Sequence, residues 1–428
     1  MTHTSRRKFI ATTTAAGLVP MIHLRGQGTD ANDKITIGFI GVGRRGQVNM
    51  VNFLGMDDVQ VVAVCDVDTK MTETAKAKVD KKYGNTDCKV FANYEDLLAM
   101  EGLDAICLST ADHWHAKIGI AAAKAGVDIF GEKPFTWGLA EGRELVKAVQ
   151  ANKCIWQTGC WQRSLTSFRR FKSLINNKVL GEIQRWECGT PNGWGYRKHT
   201  PEEQWKDLIG KPPENIDWKA YCGPAGDVKY HPIVHPWNWR WTNDFGGGQL
   251  LDWVGHHVDI AMWSLGLDHT GPISVKGTGK KDPHPVFDVY TQYEYTGLFE
   301  NGVNMEVRSD FMGTKFTGDN GWIWVNRGKL VASDDLKDTT GNPRHPLLME
   351  VGDDFQQKIP NHYEDFIIAM RSRKPSIAAE EAAHRAASFG QLAIVAIDTD
   401  RELKWDPKAE RVIGDQEQAA HPRLGSRL

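Results

Sequence analysis

The chain has 428 residues, 41% of them apolar and 25% charged, with a formal charge of −2. That length exceeds one ordinary core and argues for two domains, while near-neutral charge without a face-sized basic run argues against a nucleic-acid partner. Seven cysteines, odd in number and scattered, form neither a disulfide framework nor a metal pattern such as C-x-x-C, so no metal is expected.

The first residues read as an address. Ser5-Arg6-Arg7-Lys8-Phe9-Ile10 precedes a weakly apolar run over residues 11–22, rich in Ala and Thr. A charged start before a short apolar region reads as a secretory signal, and the paired arginines with Phe9 resemble the twin-arginine signal that exports folded proteins. The expectation is a signal peptide and linker over residues 1–32 and a periplasmic product. No cysteine precedes Cys65, and no apolar run is long enough to span a membrane as a mature helix, so no membrane anchor is expected.

Ile35-Thr36-Ile37-Gly38-Phe39-Ile40 is an apolar run without polar alternation, which suits a parallel strand buried on both faces. It leads into Gly41-Val42-Gly43-Arg44-Arg45-Gly46, a G-x-G-x-x-G turn followed by a helix over residues 47–54. Gly41 would allow the tight turn, Gly43 the approach of a pyrophosphate, and Gly46 close packing of helix on strand. The phosphates would then meet the free N–H groups of a helix N-terminus. A second strand, residues 59–65, ends at Asp66, placed to accept hydrogen bonds from the adenosine ribose and to repel a 2′-phosphate. The set reads as an NAD site; Arg44 and Arg45 leave NADP possible.

Strand and helix then alternate. Residues 89–91, 105–110, 128–134 and 154–158 read as strands. Asn93 caps a helix over 94–100, Gly126 ends one over 113–125, and another spans 139–151. This alternation predicts an α/β Rossmann fold, a doubly wound parallel sheet over residues 33–158, with ligands beyond the carboxyl ends of the strands. Thr110, Asp112, Glu132, Lys133 and Gln162 fall at or just past such ends.

The glycine turn, then Thr110-Ala111-Asp112-His113-Trp114-His115, then Glu132-Lys133-Pro134, resemble the successive signatures of the glucose–fructose oxidoreductase/inositol dehydrogenase (Gfo/Idh/MocA) family. The resemblance runs from about Lys34 to the end of the chain. It implies a cofactor site made of Gly41, Val42, Gly43, Arg44, Arg45, Gly46, Asp66, Thr110, Asp112, His115, Glu132 and Lys133. The family's usual pattern after the fourth strand is Thr-Pro-Asn, so Ala111 and Asp112 are departures near the nicotinamide ribose.

The second half, residues 159–428, is expected to be an α+β domain with an open, mainly antiparallel sheet. Residues 183–189, 289–295, 303–309 and 322–325 read as its strands, with Asn301-Gly302 as a hairpin turn. Gly246-Gly247-Gly248 hands over to a helix on which Asp252, His256, Asp259 and Trp263 recur at i, i+4, i+7 and i+11, one helical face. The resemblance assigns Asp252 and His256 to a catalytic D-x-x-x-H pair, with Lys133 as third member. Alcohol oxidation needs a base for the hydroxyl proton, and His titrates nearest neutral pH. Asp252 could orient it and Lys133 hold the reacting oxygen. The alternative is a buried structural pair. His257 points about 100° away and reads as structural, and Asp259 as a helix anchor. Arg163 matches a family position facing the active site, with a surface arginine the alternative.

Aromatic loops lie between the strands: Asn192-Gly193-Trp194-Gly195-Tyr196 and His235-Pro236-Trp237-Asn238-Trp239-Arg240-Trp241. Indole faces stack on sugar rings, and they also pack sheet against helix, so both readings stand. Two helices, over residues 361–372 and 379–399, close the chain. The expected whole is an exported NAD(P)-dependent oxidoreductase acting on a sugar, glycoside or polyol hydroxyl, with Arg163, Trp194, Tyr196, Asp252 and His256 at the substrate. Outside the cytoplasm no free NAD pool exists, so the cofactor would stay bound. A glycoside-cleaving oxidation–elimination enzyme and a non-catalytic sugar-binding protein are the rival readings, and a homo-oligomer is expected.

Overall fold

Apolar strands without alternation can be covered only by helices on both faces, and that is how the first half of the chain is built. A computed structural model describes residues 34–194, 206–341, 343, 348 and 360–428, so residues 1–32, expected to be a signal peptide and linker, and Tyr196 lie outside the described residues. Strands β1 (Ile35–Ile40), β2 (Val59–Cys65), β3 (Lys89–Phe91), β4 (Ala105–Leu108), β5 (Asp128–Gly131) and β6 (Trp156–Thr158) form one sheet in the order β3-β2-β1-β4-β5-β6. Every neighbouring pair is parallel. The order reverses between β1 and β4, and the crevice at such a reversal is where a dinucleotide lies.

The connecting helices are α1 (Arg44–Leu54), α2 (Thr69–Tyr83), α3 (Tyr94–Leu98), α4 (His115–Lys124) and α5 (Leu139–Ala151). Asn93 caps α3 by accepting from the Glu95 N–H, and Gly126 takes φ 74° just beyond α4. The helix expected from His113 begins instead as a 3-10 turn, Asp112–Trp114, that leads into α4.

After α6 (Thr166–Asn176), β7 (Ile183–Gly189) opens a second sheet. A short helix α7 (Trp218–Cys222) comes next, then α8 (Gly248–Trp253), a π turn (Val254–Val258) and α9 (Asp259–Ser264). The remaining strands are β8 (Ser274–Lys280), β9 (Gln292–Leu298), β10 (Asn304–Arg308), β11 (Gly313–Gly318), β12 (Gly321–Asn326) and β13 (Lys329–Ala332). With β14 (Leu403–Asp406) and β15 (Arg411–Val412) the order is β13-β12-β11-β7-β10-β9-β8-β14-β15. Only the β7–β10 pair is parallel. The expected mainly antiparallel sheet is present. β9 starts three residues later than expected because Val289 packs with Trp241 and Phe287 in a separate cluster.

The last long helices tie the halves together. Helix α10 (His362–Ser372), capped by Asn361, sends Phe366, Ile367 and Met370 into the first sheet's core beside Phe53 and Phe130. Helix α11 (Glu380–Asp398) places Ala383 and Ala387 against Phe135 and Trp156 of the first half, and Phe389, Leu392 and Ala393 against Tyr295 and Met305 of the second sheet. Alanines and Gly390 on α11 allow this double contact, since small residues let both layers approach one helix. A chain division at residue 158 therefore separates the sheets but not their cores. No helix among the described residues is long and apolar enough to cross a membrane.

Candidate active site

The turn after β1 admits only glycine at two of its three glycine positions. Gly41 has φ +81°, and a Cβ there would lie 2.7 Å from the backbone at Ser109 and Thr110. A Cβ on Gly46 would lie 2.0 Å from the Gly41 carbonyl oxygen, so helix α1 can meet β1 only without a side chain. Gly43 has nothing within 4 Å of its Cβ position, which leaves open space before the uncapped first turn of α1. An empty cradle at a helix N-terminus suits a pyrophosphate.

Asp66 stands at the end of β2 and accepts from the backbone N–H of Val42 at 2.8 Å and of Asp68 at 3.0 Å. Burial pushes its pKa up to about 6 despite those bonds. Gly41, Gly43, Arg44, Arg45, Asp66 and Thr110 line a cavity of about 510 Å³, within the roughly 300–1,000 Å³ usual for ligand pockets. These residues fit the adenosine and pyrophosphate of NAD.

The outer wall of that cavity comes from the second half of the chain. Residues 215–217 bond to the β2–α2 loop, with Thr69 N–H donating to Asn215 O at 2.9 Å and Asp217 N–H to Val67 O at 3.0 Å. Trp114 Nε1 donates to Tyr221 O at 2.8 Å. His235, Pro236, Trp237, Trp239 and Arg240 then close over the cavity. Arg44 stacks on Trp237 at 4.8 Å, and Arg240 stacks on Trp237 and Trp239, each at 4.2 Å. The sequence offered this aromatic run for sugar stacking or for packing; it walls the dinucleotide groove, and Trp241 is core. Its cation–indole alternation was the available signal.

Lys133, just past β5, sends Nζ to Asp252 Oδ1 at 2.6 Å. Gly255 makes this approach possible, because a Cβ there would lie 2.8 Å from the Lys133 Cβ. Arg240 Nε is 3.7 Å from the same carboxylate oxygen, which links the cofactor cavity to Asp252. His256 sits in the π turn, 5% exposed, with its ring 5.0 Å from Trp253 and 6.5 Å from Trp161. Burial first, then the Lys133 charge, hold its pKa well below the ordinary value. It is therefore neutral near pH 7 and able to accept a proton. Its Nδ1 is buried without a hydrogen-bond partner among the described residues.

Asp112 is 3% exposed, and its Oδ1 is buried without a partner among the described residues. Burial, then the nearby Asp252 charge, push its pKa up to about 8, against Arg240 and Lys133. At neutral pH it is a neutral acid carrying one donor and one acceptor, as an asparagine amide does. The departure from Thr-Pro-Asn is thus small in hydrogen-bonding terms.

Several expected roles are corrected by position. The four-residue stripe is split by the π turn, whose i→i+5 bonding adds a residue to the turn and rotates the helix beyond it. Asp259 and Trp263 meet Arg163 instead of lining the site. Arg163 is 1% exposed, and its five N–H donors all go to Asp259, Asp268 and the Ile377 carbonyl. It has no donor for a substrate; it clamps the start of α9. His115, 1% exposed, places its ring nitrogens against the carbonyls of Pro134 and Thr110, so it joins the β4 and β5 loop ends rather than facing the cavity. Glu132 takes Arg45 at 2.5 Å and Asn49 at 3.0 Å. Burial pushes its pKa up, but Arg45 and then Lys133 bring it below the ordinary value, so it is charged. Val42 acts only through its backbone N–H to Asp66. Trp194 packs on His284 and Phe287. His257 is fully buried beside Gly189 and Thr314, a structural residue.

A reversed parallel sheet with a glycine cradle, an acid at the second strand and a lysine–aspartate–histidine group at its edge is the arrangement of a nicotinamide-dependent dehydrogenase. Comparison with known proteins narrows this. Residues 35–160 match the profile of the Gfo/Idh/MocA "oxidoreductase family, NAD-binding Rossmann fold", and residues 165–423 match that family's "C-terminal alpha/beta domain". The chain belongs to the Gfo/Idh/MocA oxidoreductase family and binds NAD. The uncharacterized oxidoreductase YrbE of Bacillus subtilis is 26% identical over 271 residues, 63% of this chain and 65% of that protein. A glycosyl hydrolase family 109 protein of Shewanella sp. is 27% identical over 167 residues, 36% of this chain and 35% of that protein. The matched stretches thus span from about a third to just under two thirds of these relatives. The scyllo-inositol dehydrogenase of Lactobacillus casei, solved with NAD(H) and scyllo-inositol, superposes with a TM-score of 0.60 at 15% identity, covering 87% of this chain and 99% of that one.

Proposed function

We propose that this chain oxidises a hydroxyl of a sugar, glycoside or polyol, with NAD held in place between turnovers. The observation that carries the reading is the Lys133–Asp252 pair, 2.6 Å apart at the carboxyl edge of the first sheet and beside His256. Bound NAD supplies the hydride acceptor. His256, neutral, takes the hydroxyl proton at Nδ1. Lys133 donates from Nζ to the reacting oxygen and opposes the negative charge that grows there as the proton leaves. Asp252 fixes the ammonium, and Arg240 Nε lies 3.7 Å from the same carboxylate oxygen.

Retention of the cofactor has two independent supports. The wall over residues 215–240 crosses the dinucleotide groove, so release requires its hydrogen bonds to the β2–α2 loop to open. The Arg6-Arg7 signal supports export through the twin-arginine route, and beyond the cytoplasm a dissociated NAD is lost. A second substrate must then return the cofactor to its oxidised state. We also place a second copy of the chain on the open face of the second sheet, where β9 alternates buried Tyr293 and Tyr295 with exposed Gln292, Glu294 and Leu298.

The test is direct. Purified protein should release dinucleotide on denaturation, and incubation with sugars, polyols and glycosides should yield a keto product. Free aglycone would favour the glycoside-cleaving reading, in keeping with the glycosyl hydrolase name of the family 109 relatives, and sugar binding without any product would favour the non-catalytic sugar-binding protein. Replacing Arg6-Arg7 by Lys-Lys should hold the protein in the cytoplasm, and light scattering should give a mass above the 47.9 kDa of one chain.

A further inference from the structure

Two side chains of the outer wall bury a donor that the fold itself does not use. Tyr221 and Trp237 line the dinucleotide cavity from the second half of the chain. The Tyr221 hydroxyl and the Trp237 Nε1 are each buried without a hydrogen-bond partner among the described residues. An unpaired buried donor destabilises a fold, and a ligand oxygen that pairs it removes that penalty. Both groups are held in place by other contacts. The Tyr221 ring stacks on Trp218 at 4.8 Å and meets Phe245 edge-on at 5.4 Å. Its carbonyl accepts from Trp114 Nε1 at 2.8 Å and lies 3.0 Å from His113 Nε2. Trp237 is fixed by Arg44 and Arg240, whose guanidinium groups lie 4.8 and 4.2 Å from its ring.

Position names the part of the cofactor they meet. Arg44 opens α1 directly after Gly43, so Trp237 lies within one arginine side chain of the phosphate cradle. Burial holds the Tyr221 hydroxyl well above the ordinary tyrosine pKa, with Arg240 opposing the rise and Asp66 adding to it. The phenol is therefore a neutral donor, placed where it feels both Asp66 at the adenosine ribose and Arg240 beside Asp252. The charge balance agrees. Lys133 and Arg240 share the one carboxylate of Asp252, at 2.6 and 3.7 Å, which leaves one positive charge over. An indole N–H, a phenol O–H and an excess cation call for acceptor oxygens that carry negative charge. In NAD those are the non-bridging oxygens of the pyrophosphate, midway between the two riboses. We propose that Tyr221, Trp237 and Arg240 hold the pyrophosphate of NAD from the side opposite the glycine turn, so that the second half of the chain completes the cofactor site. This assignment rests on the reading that NAD stays bound between turnovers, and it names the groups that retain it.

The experiment follows radiolabelled NAD leaving the loaded, full-length protein into an excess of unlabelled NAD, so binding is read without turnover. Tyr221→Phe keeps the ring contacts and removes only the hydroxyl. It should speed release about 10- to 100-fold, the span of one hydrogen bond to a charged oxygen. Trp237→Phe, which keeps a ring for the two arginines, should act in the same direction. Arg240→Met should speed release more than Arg240→Lys, which keeps the charge. Displacement of the label by ADP-ribose, which carries the pyrophosphate, and by adenosine, which does not, locates the contact. In each variant the affinity for ADP-ribose should fall while that for adenosine holds. Circular dichroism of each variant reports on folding, and Trp237→Phe carries the test if Tyr221→Phe fails to fold. Unchanged release in Tyr221→Phe and Trp237→Phe, or a fall for adenosine equal to that for ADP-ribose, overturns the proposal. If the wild-type protein holds its NAD and the variants hold it as long, the clamp falls while retention stands. If the wild-type protein exchanges NAD freely yet the variants lose affinity for ADP-ribose alone, the clamp stands and retention falls.

Discussion

Replacing Arg163 by Met separates a structural clamp from a substrate contact. The guanidinium holds Asp259 through two bonds of 2.8 and 2.7 Å and Asp268 through two of 3.2 and 2.9 Å, with a fifth to Ile377 O at 3.1 Å. Asp259 is 1% exposed, so removing its counter-cation strands a carboxylate where water cannot reach it. Breaking one side of such a pair costs about 3–5 kcal/mol. At roughly 2 cal/mol/K per residue, unfolding 428 residues carries an entropy of about 0.9 kcal/mol/K. The midpoint of thermal unfolding should therefore fall by about 3–6 °C in differential scanning calorimetry. Asp259 begins α9 directly after the π turn that carries His256, so kcat should fall with it, while the dinucleotide, held by the first sheet, should be retained. Arg163→Lys, which keeps the charge but offers fewer donors, should lie between. An unchanged midpoint with KM alone raised would refute the clamp and return Arg163 to the substrate.

Gly46→Ala should abolish dinucleotide retention, because its Cβ would lie 2.0 Å from the Gly41 carbonyl oxygen; retained NAD in a folded variant would contradict the close helix–strand contact. The affinity for NAD should fall as pH drops below about 6, where burial leaves the Asp66 carboxyl protonated and a poor acceptor for ribose hydroxyls. The sign for stability is opposite: because its folded pKa is raised, Asp66 favours the cofactor-free fold below its unfolded pKa and loses that contribution as pH rises through about 6. Asp66→Asn should flatten the affinity profile in equilibrium dialysis, and an unaltered pH break would assign it to another group. His256→Ala should lower turnover about 10²-fold or more with cofactor still bound; a smaller change would remove His256 as the base.

How much was legible depended on how locally each feature is written. The glycine turn, the strand before it and Asp66 occupy 32 contiguous residues, and each answers to a backbone constraint that sequence states directly. Asn93, Gly126 and Asn361 mark helix ends for the same reason: a cap is satisfied within a few residues. Arg163 could not be read so. Its partners, Asp259, Asp268 and Ile377, lie about a hundred or more positions away, and an isolated arginine is equally plausible at a surface. The D-x-x-x-H spacing suggested one helical face, but a π turn depends on what packs around it, here Lys133 against Gly255.

By itself the sequence determined the doubly wound parallel sheet, the phosphate cradle and the existence of an acid for the ribose, because period, glycine φ and strand-end position are local quantities. Tertiary structure alone decided that the tryptophan run closes over the cofactor groove, that Lys133 meets Asp252 across 119 positions, and that α10 belongs to the first core. The physical reason is common to all three. Long-range contacts are set by which apolar faces find each other, and a side chain's chemistry is decided by the neighbours that burial then imposes.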